Sequence, residues 1–206
     1  MIEDFVKHLF PRVVAERNLR LGYTFCLGGL AFSGLLLMMA SGLLLIFYYQ
    51  PTPERAFNSI LFLESSVWGG RYLRSLHRLT SHCLLVLIFL HTLRVVLTGA
   101  YRHPRHLNWV VGFLLLCLAL FEAYTGYLLP LDQLAYWATQ TGMELLTTAP
   151  GGSAIRALLV PDGVGLPLSL LRFYALHVVI IPLTLLLLSL LHFYRVRKNK
   201  GVLPYL

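Results

Sequence analysis

The chain has 206 residues, 57% of them apolar and 13% charged, and its mean hydropathy is positive. So much apolar surface at this length excludes an ordinary water-soluble domain. The net charge of +8 reads as membrane topology and lipid contact rather than nucleic-acid binding.

In chain order, residues 3–20 mix Phe5, Val6, Leu9, Val13 and Val14 with acids and bases, the pattern of a helix lying on a membrane surface and interrupted near Pro11. A plain solvated tail is the alternative, and the stretch is too charged to hold the core of a cleavable signal. Four apolar stretches long enough to span follow at 25–49, 76–99, 108–129 and 173–194. Segments 50–73 and 130–172 are rich in Pro, Gly and Thr and read as loops on one face. The second is too long for a bare connector, so short surface helices are expected in it. The fold class is thus an all-α membrane protein, a single domain over 1–206. It comprises a surface segment at 1–22, a four-helix bundle at 23–200 and an outer loop at 130–172.

Four spans put both termini on one side. The termini and the loop after the second span hold eleven Lys and Arg, and the opposite side holds six. The positive-inside rule then places both termini on the negative side of an energy-coupling membrane.

Four histidines lie inside these spans: His77 and His91 in the second, His177 and His192 in the fourth. Steps of 14 and 15 residues keep each pair near one helix face, about 21 to 23 Å apart along the axis. Imidazoles in hydrocarbon are costly without partners, and ligation to haem iron is the simplest compensation. The second and fourth spans run parallel, so His77 should pair with His177 and His91 with His192. A bis-imidazole haem has no open position, which suits electron transfer.

Glycines repeat the same step. Gly28 and Gly42 in the first span, and Gly112 and Gly126 in the third, are each 14 residues apart. Flat macrocycles between helices need places where a backbone can come close. Gly42 and Gly126 are expected at the outer haem, and Gly28 and Gly112 at the inner one. Ordinary small-residue packing is the competing explanation, and two matched pairs at haem spacing weigh against it.

Arginines stand where haem propionates would emerge: Arg74 one turn before His77 and Arg94 three residues after His91. Arg78 and Arg172 are weaker candidates, with membrane-boundary anchoring equally able to explain them. His8, His82, His103 and His106 are set aside as ligands. The three cysteines, Cys26, Cys83 and Cys117, lie in apolar spans without a CxxC motif and read as buried small hydrophobes.

The segments FCLGG at 25–29, SGLLL from 41, RSLHR at 74–78, LHTLRVVLTG at 90–99, HPRHLNWVVG at 103–112, TGYLLP at 125–130 and RFYALH at 172–177 resemble the cytochrome b family. The likeness is to the family of cytochrome bc and b6f complexes in its short, four-helix, b6-type form, and it covers about 23–198. It implies two haem b and a quinone, with quinol oxidised at the outer face. One electron would go to a Rieske iron–sulfur protein, and the other through both b haems to a quinone inside. The chain would be one subunit of a quinol:electron-acceptor oxidoreductase of the cytochrome c or plastocyanin type, inactive alone, in a bacterial inner membrane or thylakoid. Implied partners are a subunit IV-like C-terminal half of cytochrome b, a c-type cytochrome, and a second copy of the complex. The resemblance also implies a third haem on Cys26 by one thioether, next to the inner haem, while Cys83 and Cys117 remain packing residues.

Several positions depart from the family. Its Pro-Glu-Trp-Tyr element is missing before Leu206, so a separate subunit is expected to complete the outer site. Leu131 follows Pro130 where the family has Trp, a departure beside the quinol-site wall that the resemblance implies for Asp132, Tyr136, Trp137 and Thr141. Glu16 is the nearest match to the family's acid before the cysteine. Glu122 falls within the third span, one turn before Gly126, where the family has an apolar residue. An intramembrane acid points to function by default, here a bond to water or cofactor or a proton role near the outer haem. A protonated acid bonded to a neighbouring helix is the alternative. Two rival functions are the dihaem cytochrome b anchor of a dehydrogenase or hydrogenase, and a non-redox scaffold or transporter using histidines for protons.

Overall fold

A computed structural model of the chain describes residues 25–198, and its regular structure there is helical throughout. The helices are α1 (Leu27–Ile46), α2 (Ala56–Ser66), α3 (Gly70–Leu97), α4 (His106–Leu128), α5 (Gln133–Thr147), α6 (Gly152–Leu159) and α7 (Pro167–Lys198). Helices α1, α3, α4 and α7 are the four long and apolar enough to cross a membrane. All four expected spans are therefore present, α3 and α7 each beginning six residues sooner than hydropathy indicated. The expected surface segment 1–22, with Glu16, lies outside the described residues.

Segment 50–73 corrects the sequence reading, because 11 of its residues form α2. Pro51 and Pro53, which suggested a loop, precede the helix, where a missing N–H costs nothing. Ala56, Ser59 and Leu63 then bury one face at helical spacing. The 130–172 segment carries the expected short helices, α5 and α6, and the start of α7.

The chain divides into two compact units, each built from parts of all four spans. The first holds the described residues up to Leu36, His82–Ala119 and those from Leu183 onward; the second holds Leu37–Ser81 and Leu120–Pro182. In the first unit Phe32 meets Phe193 edge to face, with ring centroids 5.0 Å apart. The second has a dry core in which Leu128, Leu170 and Phe173 are fully buried beside Ala56, Met143 and Val164. Tyr49 ties its edge down, donating to the Leu129 carbonyl at 2.7 Å and stacking on Tyr174 at 5.5 Å.

Helix α7 is not uniform. Residues Leu176–Ile180 form a π turn, closed by the Ile181 N–H donating to the Leu176 carbonyl. Pro182 follows and has no N–H to continue the α pattern, so the wider turn arises where the ladder is already broken. A π turn takes in one extra residue relative to an α turn, and His177 lies within it.

Side-chain carboxylates hold the first turns of two helices. Asp132 accepts from the Ala135 N–H at 2.8 Å at the head of α5. Asp162 accepts from the Leu168 and Ser169 N–H groups at 2.8 and 3.0 Å, and from the Ser169 hydroxyl, at the head of α7. Desolvation alone would raise the Asp162 carboxyl, but these hydrogen bonds outweigh it and hold the group below its ordinary range. Such a depressed acid stabilises the fold above the unfolded carboxyl value of about 3.9 and loses that contribution as pH falls. Asp162→Ala should therefore melt below the native protein at pH 7, with the gap closing under acid. Melting curves in detergent from pH 3 to 7 check this, and a gap independent of pH would contradict it.

Candidate haem sites at two histidine pairs

In the second unit His77 on α3 and His177 on α7 face each other, with ring centroids 6.2 Å apart and planes at 77°. The Ser41 hydroxyl on α1 lies 2.9 Å from His77 Nδ1 and donates to the Leu37 carbonyl at 2.8 Å, so it accepts from the ring. His177 Nδ1 lies 3.1 Å from both the carbonyl and the carboxylate Oε1 of Glu122, with the Thr125 hydroxyl at 3.5 Å. Both Nδ1 atoms are thereby engaged. Each ring keeps Nε2 for a ligand.

The first unit repeats the arrangement. His91 on α3 and His192 on α7 stand with centroids 6.4 Å apart and planes at 78°. They line a cavity of about 360 Å³ together with Cys26, Arg94, Arg105 and Asn108. The Asn108 Oδ1 is buried without a partner. The Nδ1 of His192 lies near the Asn108 backbone without meeting hydrogen-bond geometry.

Both pairs fit a haem iron. An iron–nitrogen distance of about 2.0 Å on each side, plus a little over 1 Å from nitrogen to ring centre, gives a separation of about 6.3 Å. Among the described residues no three of His, Cys, Asp and Glu gather to hold a bare ion. The fit is therefore to a metal that brings further ligands of its own.

The glycines form the cradle. A methyl group added at Gly28 or Gly112 would stand 3.2 Å from Cε1 of His91 or His192, and one at Gly42 would stand 3.3 Å from Cε1 of His77. At Gly126 it would collide with the His177 ring outright. Each glycine thus lies against the histidine of the pair to which its position assigned it.

The other candidates divide. Arg94 lines the first unit's cavity, whereas Arg74 forms an ion pair with Glu64 and Arg172 donates to the Leu158 carbonyl. Arg78 is exposed. Cys26 enters the cavity from a left-handed backbone position, φ 51°, just ahead of α1. Cys83 and Cys117 are exposed, not the buried hydrophobes expected, because their helix faces turn outward from the unit. On α5, Tyr136 packs beside Trp137 at 5.1 Å, while Trp137 and Thr141 are exposed and the Asp132 carboxylate serves its cap. Leu131 turns the chain there with φ 50°.

Four residues of the sites were missed in the sequence. Ser41 and Thr125 each precede a cradle glycine, and that repeated hydroxyl–glycine pair was a readable signal. Arg105 and Asn108, both 8% exposed, offered none beyond their place in HPRHLNWVVG.

Fold and site together define a four-span helical membrane protein that buries two histidine pairs in glycine-lined gaps. The model of the family described as cytochrome b/b6/petB matches residues 14–200. Cytochrome b6 of Heliobacterium mobile is 40% identical over 196 residues, covering 95% of this chain and 89% of that protein. The menaquinol:cytochrome c reductase cytochrome b subunit of Bacillus subtilis is 37% identical over 202 residues, covering 97% and 90%. A solved chain of a hyperthermophilic respiratory complex III superposes with a TM-score of 0.84 at 29% identity over 99% of this chain, which spans 54% of that one. The chain belongs to the cytochrome b/b6 family.

The cradle predicts a graded response. Gly126→Ala should be the most disruptive of the four alanine substitutions, costing about 1–3 kcal/mol through overpacking. Its purified complex should lose haem from the His77/His177 pair before the Gly28, Gly42 or Gly112 variants lose theirs. Haem content per chain, measured optically, is the check, and full content in Gly126→Ala would refute it.

Proposed function

We propose that this chain is the transmembrane electron-transfer subunit of a quinol-oxidising cytochrome bc or b6f-type complex. One observation carries the reading: two histidine pairs at iron-spanning separations, each flanked by glycines. When bound, two haem b supply reversible one-electron carriers. His77 and His177 would hold the outer one, His91 and His192 the inner one. The glycines let each ring stand upright, and the Nδ1 partners fix which nitrogen faces the metal. In the inner cavity Arg94 and the buried Arg105 are the propionate partners; Arg74, paired with Glu64, would be shared with the outer haem, and Arg78 stands at its edge.

Quinol at the outer face would deliver one electron to a Rieske iron–sulfur partner and the other to this route, with a quinone on the inner side as acceptor. Tyr136, Trp137 and Thr141 on α5 form the chain's share of the outer quinol wall, completed by a subunit IV-like partner. A c-type cytochrome and a second copy of the complex are the remaining partners, and both termini lie on the negative side. Crossing against about 100 mV costs about 2.3 kcal/mol per electron, so the outer carrier must be the stronger reductant.

Cys26 is assigned to a third, thioether-linked haem, supported by its place in the cavity of His91 and His192. Acid–acetone extraction of the purified complex, followed by pyridine haemochrome spectra, tests the whole reading. Two haem b per chain should extract while a c-like haem stays on this polypeptide, and Cys26→Ala should release it. Complete extraction from the native protein would remove the third haem and favour a dehydrogenase-anchor role. A colourless complex would overturn the reading.

A further inference from the structure

Glu122 lies in the last two turns of the apolar span His106–Leu128, and its ion-pair partner among the described residues is His177. Its Oε1 is 3.1 Å from His177 Nδ1, and the two side chains are 17% and 15% exposed. Its Oε2 is buried and makes no hydrogen bond. Among the described residues His177 alone of the four paired histidines has a carboxylate on its ring. His77 has the neutral Ser41 hydroxyl instead.

A ring N–H that donates to a carboxylate makes the opposite nitrogen a stronger electron donor to its metal. The ferric form of a bis-imidazole haem carries one more positive charge than the ferrous form, so a nearby negative charge favours oxidation. Main-chain carbonyls orient a ring in the same way without adding charge. Here the Glu122 carbonyl already stands 3.1 Å from the same nitrogen and accepts from the Thr125 hydroxyl at 2.9 Å. Orientation is thus provided for, and the part left to the side chain, ionised beside a ferric haem, is to add electron density.

We propose that Glu122 is a positioning residue that lowers the reduction potential of the haem held by His77 and His177, making that carrier the stronger reductant. The proposal rests on the dihaem reading above. It assigns the drop in potential between the two carriers partly to a side chain that touches neither haem.

The test is a redox titration of the whole purified complex, with haem b per chain determined first. A native complex without two haem b would defeat the dihaem reading itself. With haem content intact, Glu122→Gln keeps size and acceptor but removes the charge. It should shift the outer haem's reduction equilibrium upward at least tenfold, about 59 mV for one electron, and leave the inner haem in place. An outer potential that is unchanged or lower overturns the proposal. Should the Gln variant not assemble, Glu122→Asp withdraws the charge by one methylene and should raise the outer potential by a smaller step, with no shift counting against the proposal. In the native complex, redox-difference infrared spectra across the outer haem's potential should contain a carboxyl or carboxylate band. Its absence overturns the proposal whatever the variants do.

Discussion

An imidazole in hydrocarbon is costly without partners, and much of this molecule follows from how its four paired rings are placed. In the second unit one nitrogen of each ring is met by a hydroxyl, a carbonyl or a carboxylate of a neighbouring helix. In both units the ring stands so close to a glycine that a methyl group would crowd it. The spans accordingly divide into two kinds. Helices α3 and α7 carry the paired histidines, and α1 and α4 carry the glycines against them and, in the second unit, the Nδ1 partners.

That division explains why a chain so apolar packs so loosely on its own. The most apolar windows of its spans are only 6–17% buried within the protein, and Phe47 and Trp68 are 81% and 100% exposed. Under the proposed reading, macrocycles between the helices would take the place of side-chain packing there, and the outer faces would be left for lipid or partner subunits. The dry core of the second unit is a different device: α2, α5 and α6 pack against the head of α7 and hold it where His177 begins. The π turn at Leu176–Ile180 then adjusts the helix below that anchor.

Most of this was legible because hydrocarbon permits so few alternatives. The histidine pairing and each glycine's neighbour follow from period and topology, and the structure brings those residues together, although α3 and α7 begin six residues before the expected spans. What escaped was local. Prolines at 51 and 53 concealed α2, since a proline before a helix and a proline in a loop look alike in sequence. Arg74 finds Glu64 ten residues away across a turn that hydropathy does not resolve. Cys83 and Cys117 face outward because small apolar residues are equally welcome on either face of a span. The contact between Glu122 and His177 needed the packing of α4 on α7, although the oddity of an acid in that span was visible beforehand.

Two sites of nearly identical geometry, 6.2 Å and 77° against 6.4 Å and 78°, would by themselves make carriers of equal potential. Such a pair could not move an electron against a membrane voltage. Under the proposed reading, then, the difference has to come from what surrounds the ligands. The surroundings do differ. The outer pair has a carboxylate on one ring, and the cavity of the inner pair is lined by two arginines, Arg94 and Arg105. Negative charge favours the oxidised form and positive charge the reduced form, so on the proposed reading a charged Glu122 would favour transfer from the first pair to the second. On that reading, direction would be set by side chains beyond the paired histidines, because the arrangement of the histidines themselves is symmetric.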